Sequence, residues 1–196
     1  MDKLRIFLAG VGGQGTLTAT TLLARTALDE GAPVTSGEIH GMAQRGGVVE
    51  STVLIGGYSS PRIDHGEADI LLGFEPLETL RALPYLHTAG KVFSNQNTTL
   101  PPGVALGKEH YPDAAHIETT IRGCTTETVF LPCLTLARQA GSVLTANIVL
   151  LGALFGSHSL PFGFAAFEKS IRTYLKPAIV DVNLVAAELG RQAGAA

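Results

Sequence analysis

The sequence is poor in charged residues. Only 16% of its 196 residues are Asp, Glu, Lys or Arg, whereas 45% are apolar. A soluble domain usually carries about 25% charged residues, so we expect part of this surface to lie against a partner chain. The net charge is −3, and no cluster of Lys and Arg occurs. The chain therefore lacks the electrostatic pattern of a nucleic-acid-binding protein.

Long apolar runs and metal-binding cysteine patterns are also missing. The apolar run at 148–155 is far shorter than the ~20 residues that cross a bilayer. Lys3 and Arg5 precede a short apolar stretch that has no typical cleavage site, so we expect a cytoplasmic protein without membrane contact. Cys124 and Cys133 are nine positions apart, a spacing that fits no zinc or iron–sulfur motif. They are predicted to be free thiols.

Several catalytic signatures are absent as well. The sequence has no GDG segment with a downstream Asn pair for thiamine diphosphate, no P-loop, no GxSxG motif and no cysteine cluster. We therefore assign no catalytic residue and no metal ligand to this chain.

A glycine-rich motif is the first positive signal. Residues 10–15, GVGGQG, place Gly10, Gly12, Gly13 and Gly15 between a predicted buried strand at 4–9 and a predicted helix at 14–30. This pattern occurs in dinucleotide-binding domains, where the glycines let a phosphate approach the helix N-terminus. It equally suits a tight turn that packs the helix on the sheet. The motif alone leaves both interpretations open.

The path of the chain after the motif argues against a dinucleotide domain. A second strand is predicted at 34–39, and Glu38 lies where a ribose-binding acid would be expected. A glycine-rich loop then leads directly to a third strand at 49–55, with no room for a helix. Gly56 and Gly57 predict a hairpin turn into a strand at 58–63. Strands joined without a crossover helix are normally antiparallel.

The remaining pattern predicts an α/β fold. We expect a three-layer arrangement with a mixed, mainly parallel sheet flanked by helices, a Rossmann-like start, an antiparallel hairpin and a helical C-terminal third. One domain would span residues 1–190, with a frayed tail at 191–196. Further strands are predicted at 68–73, 91–94 and 127–131, and further helices at 76–83, 112–122, 132–140, 144–155, 164–174 and 177–189.

Helical spacing suggests which faces are buried. The first helix would bury Leu17, Thr21, Ala24 and Leu28, and the last would align Ile179, Val182, Val185 and Leu189. Asn147 falls inside an apolar helix and is expected to make a structural hydrogen bond.

A second glycine-rich loop, residues 37–47, is dense in polar groups. Four glycines surround Glu38, His40, Gln44 and Arg45. If the first two strands are parallel neighbours, this loop and the glycine motif share the carboxyl edge of the sheet, where α/β proteins bind ligands or partners. Arg45 could clamp a carboxylate or phosphate, or pair with a partner chain. Glu38 and His40 could also belong to a solvated or internally paired turn.

Glu75 follows the strand at 68–73 and should reach the same edge. Its simpler role is to cap the helix that begins at Pro76.

Four segments together resemble one family. They are AGVGGQG at 9–15, SGEIHGMAQRGGVVESTVLIG at 36–56, GEADILLGFEPLETLR at 66–81 and ANIVLLGAL at 146–154. They resemble the gamma-type subunit of 2-oxoacid:ferredoxin oxidoreductases and, within that family, the beta (small) subunit of the indolepyruvate type. The differences between this sequence and the family's pattern concentrate at residues 95–127.

The resemblance implies a role in oxidative decarboxylation, in which a 2-oxoacid and coenzyme A give acyl-CoA, carbon dioxide and reduced ferredoxin. The substrate would be indolepyruvate or another aryl pyruvate. Thiamine diphosphate and iron–sulfur clusters would sit on a large partner subunit and not on this chain, which would be inactive alone. Ferredoxin and coenzyme A would act at the level of the complex, and a homodimer is possible.

On the same resemblance, the glycine motif is a docking and packing loop. Glu38, His40, Gln44, Arg45 and Glu75 would lie at the subunit junction, near the active-site or coenzyme A entrance. Two alternatives stay open: a stand-alone dinucleotide-binding oxidoreductase and a purely structural assembly subunit. NAD(H) titration would test the first, and the activity of a complex carrying an Arg45 variant would test the second.

Overall fold

The computed structural model describes residues 3–40, 47–108, 110–125 and 127–195. This part of the chain forms six strands and eight α-helices. The strands are β1 (Leu4–Val11), β2 (Val34–His40), β3 (Val48–Ile55), β4 (Ala68–Gly73), β5 (Leu86–Asn95) and β6 (Glu127–Leu131). The helices are α1 (Thr16–Asp29), α2 (Pro76–Ala82), α3 (Pro102–Ala105), α4 (Ala114–Cys124), α5 (Cys133–Ala140), α6 (Ala146–Gly156), α7 (Phe164–Tyr174) and α8 (Pro177–Gly194).

The strands form one mixed sheet in the order β2-β3-β1-β4-β5-β6. Strand β3 is antiparallel to both β1 and β2, while β1, β4, β5 and β6 run parallel. The mainly parallel sheet with its antiparallel hairpin is confirmed. The condition that the first two strands are parallel neighbours is not met, because β3 lies between them. Because the link from β2 to β3 is too short for a crossover, β3 turns back and inserts between β1 and β2.

The predicted strand at 58–63 is also wrong. These residues form no strand and run across the face of the β2–β3 hairpin. Side chains of the sheet hold them there: Thr35 Oγ1 donates to the Tyr58 carbonyl, and Thr52 Oγ1 donates to the Pro61 carbonyl at 2.7 Å. Pro61 has no N–H group, so it cannot contribute a donor to a ladder.

Two apolar cores lie on opposite faces of the sheet because strand side chains alternate. Ile6, Leu8 and Leu72 point to the face covered by α1 and α5 to α8. Phe7 and Leu71 point to the face covered by α2 and α4. This arrangement gives the expected three layers.

The buried face of α1 differs from the predicted one. Leu17 and Leu28 are exposed, whereas Ala19, Leu23 and Thr26 are fully buried. The smaller residues let the helix approach the sheet and α7, and Thr26 Oγ1 donates to Ser170 Oγ at 2.9 Å.

The buried face of helix α8 also differs from the predicted one. Ile179 and Val185 of the predicted stripe are exposed, and the buried side includes Ala187 and Gly190. A Cβ on Gly190 would collide with the Val149 carbonyl of α6, so the two helices pack backbone against backbone. The helix continues through Gly194, so most of the stretch expected to be frayed is helical.

Candidate functional site

The candidate site lies at the carboxyl edge of the parallel strands. The glycine turn, residues 12–15, follows β1, and the glutamate turn, residues 74–75, follows the neighbouring β4. The Gly12 N–H donates to the Gly47 carbonyl at 2.9 Å, so the end of the second loop reaches the same edge. The two loops therefore meet although β1 and β2 are separated by β3.

The glycine turn is held by side chains from distant parts of the chain. Gln14 Oε1 accepts from the Val11 N–H at 2.9 Å, and Gln14 Nε2 donates to Thr99 Oγ1 at 3.1 Å. Gly15 has a left-handed conformation, φ 76°, which favours glycine. A Cβ there would lie 2.6 Å from Asn147 Nδ2. These contacts support the interpretation of the motif as a tight packing turn.

Asn147 completes the packing of this turn. It lies in the first turn of α6 and is buried, and its Nδ2 donates to the Gly15 carbonyl at 3.1 Å. The expected structural hydrogen bond of Asn147 is confirmed, and its partner is the glycine turn itself.

A cavity of about 360 Å³ opens beside the glycine turn. The residues that line it, all in the described ranges, include no Asp, Glu, Lys, Arg or His. Its polar groups are mainly amides, and its apolar wall comes from α6, α8 and the turn Val143–Thr145. The amides are those of Gln14, Asn95, Asn97, Asn147 and Asn183.

Asn95 and Asn97 are two of the three cavity amides that sequence reasoning missed, and the third is Asn183. Asn95 Nδ2 donates to the Phe74 carbonyl at 3.0 Å, and its Oδ1 accepts from the Cys133 N–H at 3.3 Å. Asn97 Oδ1 accepts from the Leu134 N–H at 2.9 Å. Both residues tie the end of β5 to the start of α5. The available signal was their position, since they follow a buried strand at the same edge as Glu75.

Glu75 forms an internal network. It is 1% exposed, and Oε2 accepts from the N–H groups of Leu77 at 2.7 Å and Glu78 at 3.1 Å. Oε1 accepts from the Thr99 N–H at 3.2 Å and from the Tyr111 hydroxyl at 2.6 Å. Burial, then the bond to Glu75, raises the pKa of Tyr111. Glu75 is thus the cap of α2, and its carboxylate is buried among groups of its own chain. The position of Glu75 near a subunit junction stays a prediction.

The other predicted site residues lie on or beyond β2. Glu38 pairs with Ser51 in the β2–β3 register and borders a second groove of about 860 Å³ on the hairpin face. His40 ends β2 opposite Val49. Gln44 and Arg45 lie outside the described residues. Because β3 and β1 separate β2 from β4, roughly 14 Å of sheet lies between Glu38 and Glu75. The structure does not bring these two carboxylates together.

The described residues do not fit an iron–sulfur cluster. Cys124 is exposed and Cys133 is buried, and burial raises the pKa of the Cys133 thiol. Within the described ranges, no group of three His, Cys, Asp or Glu side chains is placed to hold a metal ion. A cluster needs about four thiolates. In the same ranges, no helix combines the length and apolarity required to cross a bilayer.

Comparison with known proteins gives consistent matches. Residues 5–193 match the family described as pyruvate ferredoxin/flavodoxin oxidoreductase. Indolepyruvate oxidoreductase subunit IorB of Archaeoglobus fulgidus is 42% identical over 96% of this chain and 94% of its own length. Ketoisovalerate oxidoreductase subunit VorA of Methanothermobacter thermautotrophicus is 26% identical over 97% of this chain, which corresponds to 36% of that longer protein.

The fold has a solved counterpart. The gamma subunit of a keto/oxoacid ferredoxin oxidoreductase from Geobacter sulfurreducens superposes with a TM-score of 0.72 at 23% identity, and the match covers 98% of both chains.

Proposed function

Because the chain belongs to the pyruvate ferredoxin/flavodoxin oxidoreductase family and is therefore a subunit of a 2-oxoacid oxidoreductase, we propose that it is the small subunit of an enzyme that decarboxylates indolepyruvate or another aryl pyruvate. The observation that carries the choice of substrate is the 42% identity to an indolepyruvate oxidoreductase subunit over nearly the full length of both proteins.

The proposed division of labour comes from the family resemblance. It assigns the iron–sulfur clusters and thiamine diphosphate to a large partner subunit, and it is compatible with the described part of this chain, which offers no set of cluster ligands. The complex would convert one 2-oxoacid and one coenzyme A into acyl-CoA and carbon dioxide, and two electrons would pass through the clusters to ferredoxin. This subunit would dock on the catalytic subunit, without performing a chemical step.

The second loop is the proposed junction. The hydrogen bond from Gly12 to Gly47 supports a position at the functional edge of the sheet. We propose that Glu38, His40, Gln44 and Arg45 contact the large subunit near the entrance for coenzyme A or the oxoacid. A guanidinium there could bind a carboxylate through two parallel hydrogen bonds.

The central experiment compares the chain alone with its complex. Purified with its large subunit, the complex is expected to reduce ferredoxin or a viologen dye when indolepyruvate and coenzyme A are supplied, and the isolated chain is expected to give no reduction. Dye reduction by the isolated chain would contradict the proposed division of labour. A strong preference of the complex for pyruvate or 2-oxoglutarate would contradict only the assigned substrate.

The junction is tested by Arg45→Ala. Loss of a charge-assisted contact in a buried junction costs about 2–5 kcal/mol, so assembly should weaken or the KM for coenzyme A or oxoacid should rise. Arg45→Lys should restore little if the contact is bidentate. Arg172→Ala is a suitable control because Arg172 is exposed near the end of α7 and lines neither the cavity beside the glycine turn nor the groove that Glu38 borders. Unchanged assembly and kinetics with a lower melting temperature would show that Arg45 is an internal structural residue.

The dinucleotide alternative is not favoured. In a dinucleotide domain the ribose-binding acid follows a strand beside the glycine turn. Here β3 separates β2 from β1, so Glu38 is roughly 10 Å of sheet away from the glycine turn. Calorimetric titration of the chain with NADH is expected to show no micromolar binding, and such binding would revive this alternative.

A further inference from the structure

An exposed apolar surface surrounds the cavity beside the glycine turn. Leu144 is 84% exposed, Val143 is 47% exposed and Ile179 is 43% exposed. All three line the cavity together with the half-buried Leu175. We call these four residues the neutral surface. Single exposed leucines are common on proteins, but an apolar group of this kind around a concave site marks a contact region.

The absence of charge sets this region apart from the rest of the molecule. The chain carries 16% charged residues, yet the described residues that line the cavity include none. Depletion of charge combined with apolar anchors is the composition of the core of a protein–protein interface. A site for a phosphorylated ligand would instead supply cations.

Leu144 is held in place before any partner binds. It lies in the tight turn Val143–Thr145. Ser142 Oγ accepts from the Leu144 N–H at 3.3 Å, and Thr145 Oγ1 donates to the Ser142 carbonyl at 2.8 Å. A protruding apolar side chain on a fixed backbone loses little entropy on binding, which is the behaviour of an interface anchor.

We propose that the neutral surface is the core of the interface with the larger oxidoreductase subunit, and that Leu144 is its main anchor. This inference rests on the proposed function, and it names the surface through which this subunit would bind the larger one. In the longer ketoisovalerate oxidoreductase relative, the matched region is only 36% of the protein, so a larger oxidoreductase portion is covalently joined to it. The neutral surface also adjoins the glycine turn, and the Gly12 N–H of that turn donates to the Gly47 carbonyl, so the neutral surface lies at the same edge of the sheet as Gly47.

The test measures binding between the full chain and the separately purified large subunit. Leu144→Glu is expected to raise the dissociation constant at least about 30-fold, the size of an interface hot spot. The control is Leu28→Glu, since Leu28 is 54% exposed on α1 and lies about 15 Å along the helix from Thr18 at the cavity. The control should change the dissociation constant less than about threefold. Both side chains are exposed, so neither variant should change the melting temperature.

Each other result would overturn the proposal in a distinct way. If the large subunit binds the wild type and Leu144→Glu equally well, this surface is not the interface, while the proposed function stands. If Leu144→Glu abolishes self-association in light scattering and leaves large-subunit binding intact, the occupant is a second copy of this chain. If the wild type does not bind the large subunit, the proposed function fails together with the inference. Ile179→Glu provides an independent repeat at a second position of the neutral surface.

Discussion

Two strand-to-helix turns lie side by side at the carboxyl edge of the sheet, and they are built in opposite ways. In the glutamate turn after β4, a buried carboxylate accepts hydrogen bonds from the first turn of α2. In the glycine turn after β1, Gly15 occupies the equivalent capping position and supplies no side chain to α1. Thr16 Oγ1, in the first turn of α1, is buried and has no hydrogen-bond partner among the described residues.

This difference makes the glutamate turn a structural turn and leaves the glycine turn accessible. Glu75 accepts from four donors of its own chain, so its carboxylate has no free surface for a partner. The glycine turn borders a cavity and the neutral surface, and its shape depends on close packing against Asn147. Two adjacent turns of the same topology therefore serve different purposes, because one is filled by a side chain and the other is left open.

The largest effect is expected from Glu75→Ala. This change leaves buried N–H groups without an acceptor and removes the cap of α2, so the free energy of unfolding should fall by about 3 kcal/mol. Urea denaturation followed by circular dichroism measures it. Glu75→Gln keeps one acceptor oxygen and should lose less. Equal stability of all three proteins would show that the glutamate turn does not depend on its carboxylate.

Gly15→Ala should have the next largest effect. Gly15 and Gly31 have nearly the same φ, 76° and 78°, but a Cβ on Gly31 would meet nothing within 4 Å. Gly31→Ala therefore measures backbone strain alone, about 1 kcal/mol. Gly15→Ala should cost about 1 kcal/mol more, because Asn147 must move. The comparison uses the same denaturation measurement, and equal losses would mean that the glycine turn does not need close packing.

A smaller effect should appear when Asn147→Ala is combined with Gly15→Ala. Alone, Asn147→Ala removes the bond to the Gly15 carbonyl and should cost about 1 kcal/mol. In a protein that already carries Gly15→Ala, Asn147→Ala also removes the amide that clashes with the new Cβ. The loss in free energy of unfolding caused by Asn147→Ala should then be smaller, or become a gain. A double-mutant cycle would then report a coupling of about 1 kcal/mol. Strict additivity would argue that the two residues do not act as a unit.

The smallest effect concerns pH. Burial raises the pKa of Glu78 above its ordinary 4.5, and the neighbouring Arg81 only partly opposes this. The folded state thus favours the protonated carboxyl, so this contribution to stability is present below pH 4.5 and is lost as the pH rises through the raised pKa. Between pH 4 and pH 7, the free energy of unfolding of Glu78→Gln should rise relative to that of the wild type, by less than about 1 kcal/mol. Denaturation curves at several pH values test this, and a stability difference independent of pH would contradict it.

Much of the fold could be predicted from local patterns. Strand β6 was predicted at the residues that form it, and the direct path from β2 to β3 correctly indicated an antiparallel pair. The buried faces of α1 and α8 were not predicted. Helix α8 packs through Ala and Gly, and helix α1 buries Leu22 and Leu23 beside Ala and Thr, on a side that the predicted stripe does not include. Periodicity of large apolar residues selected Leu28 and Val185, which are exposed.

The site was less accessible to prediction for a physical reason. The position of Glu75 at the strand end and before Pro76 was enough to suggest a cap. The contact between Asn147 and Gly15 joins residues 132 positions apart, so no local pattern contains it. The neutral surface was also hidden, since its apolar residues come from the turn before α6 and from α8, and the sequence alone does not tell exposed from buried apolar groups.

The insertion of β3 beside β1 also governs the order in which the domain can fold. Leu4 pairs with Ile55, and Ile6 pairs with Ile70, so the first strand synthesised has no partner until much later segments exist. Ile6 and Leu8 of β1 belong to the same apolar core as α6, which comes later still. Such distant contacts slow folding. We expect the sheet to remain incomplete on the ribosome until the C-terminal helices emerge, so shortening the chain from that end should prevent assembly of the whole domain.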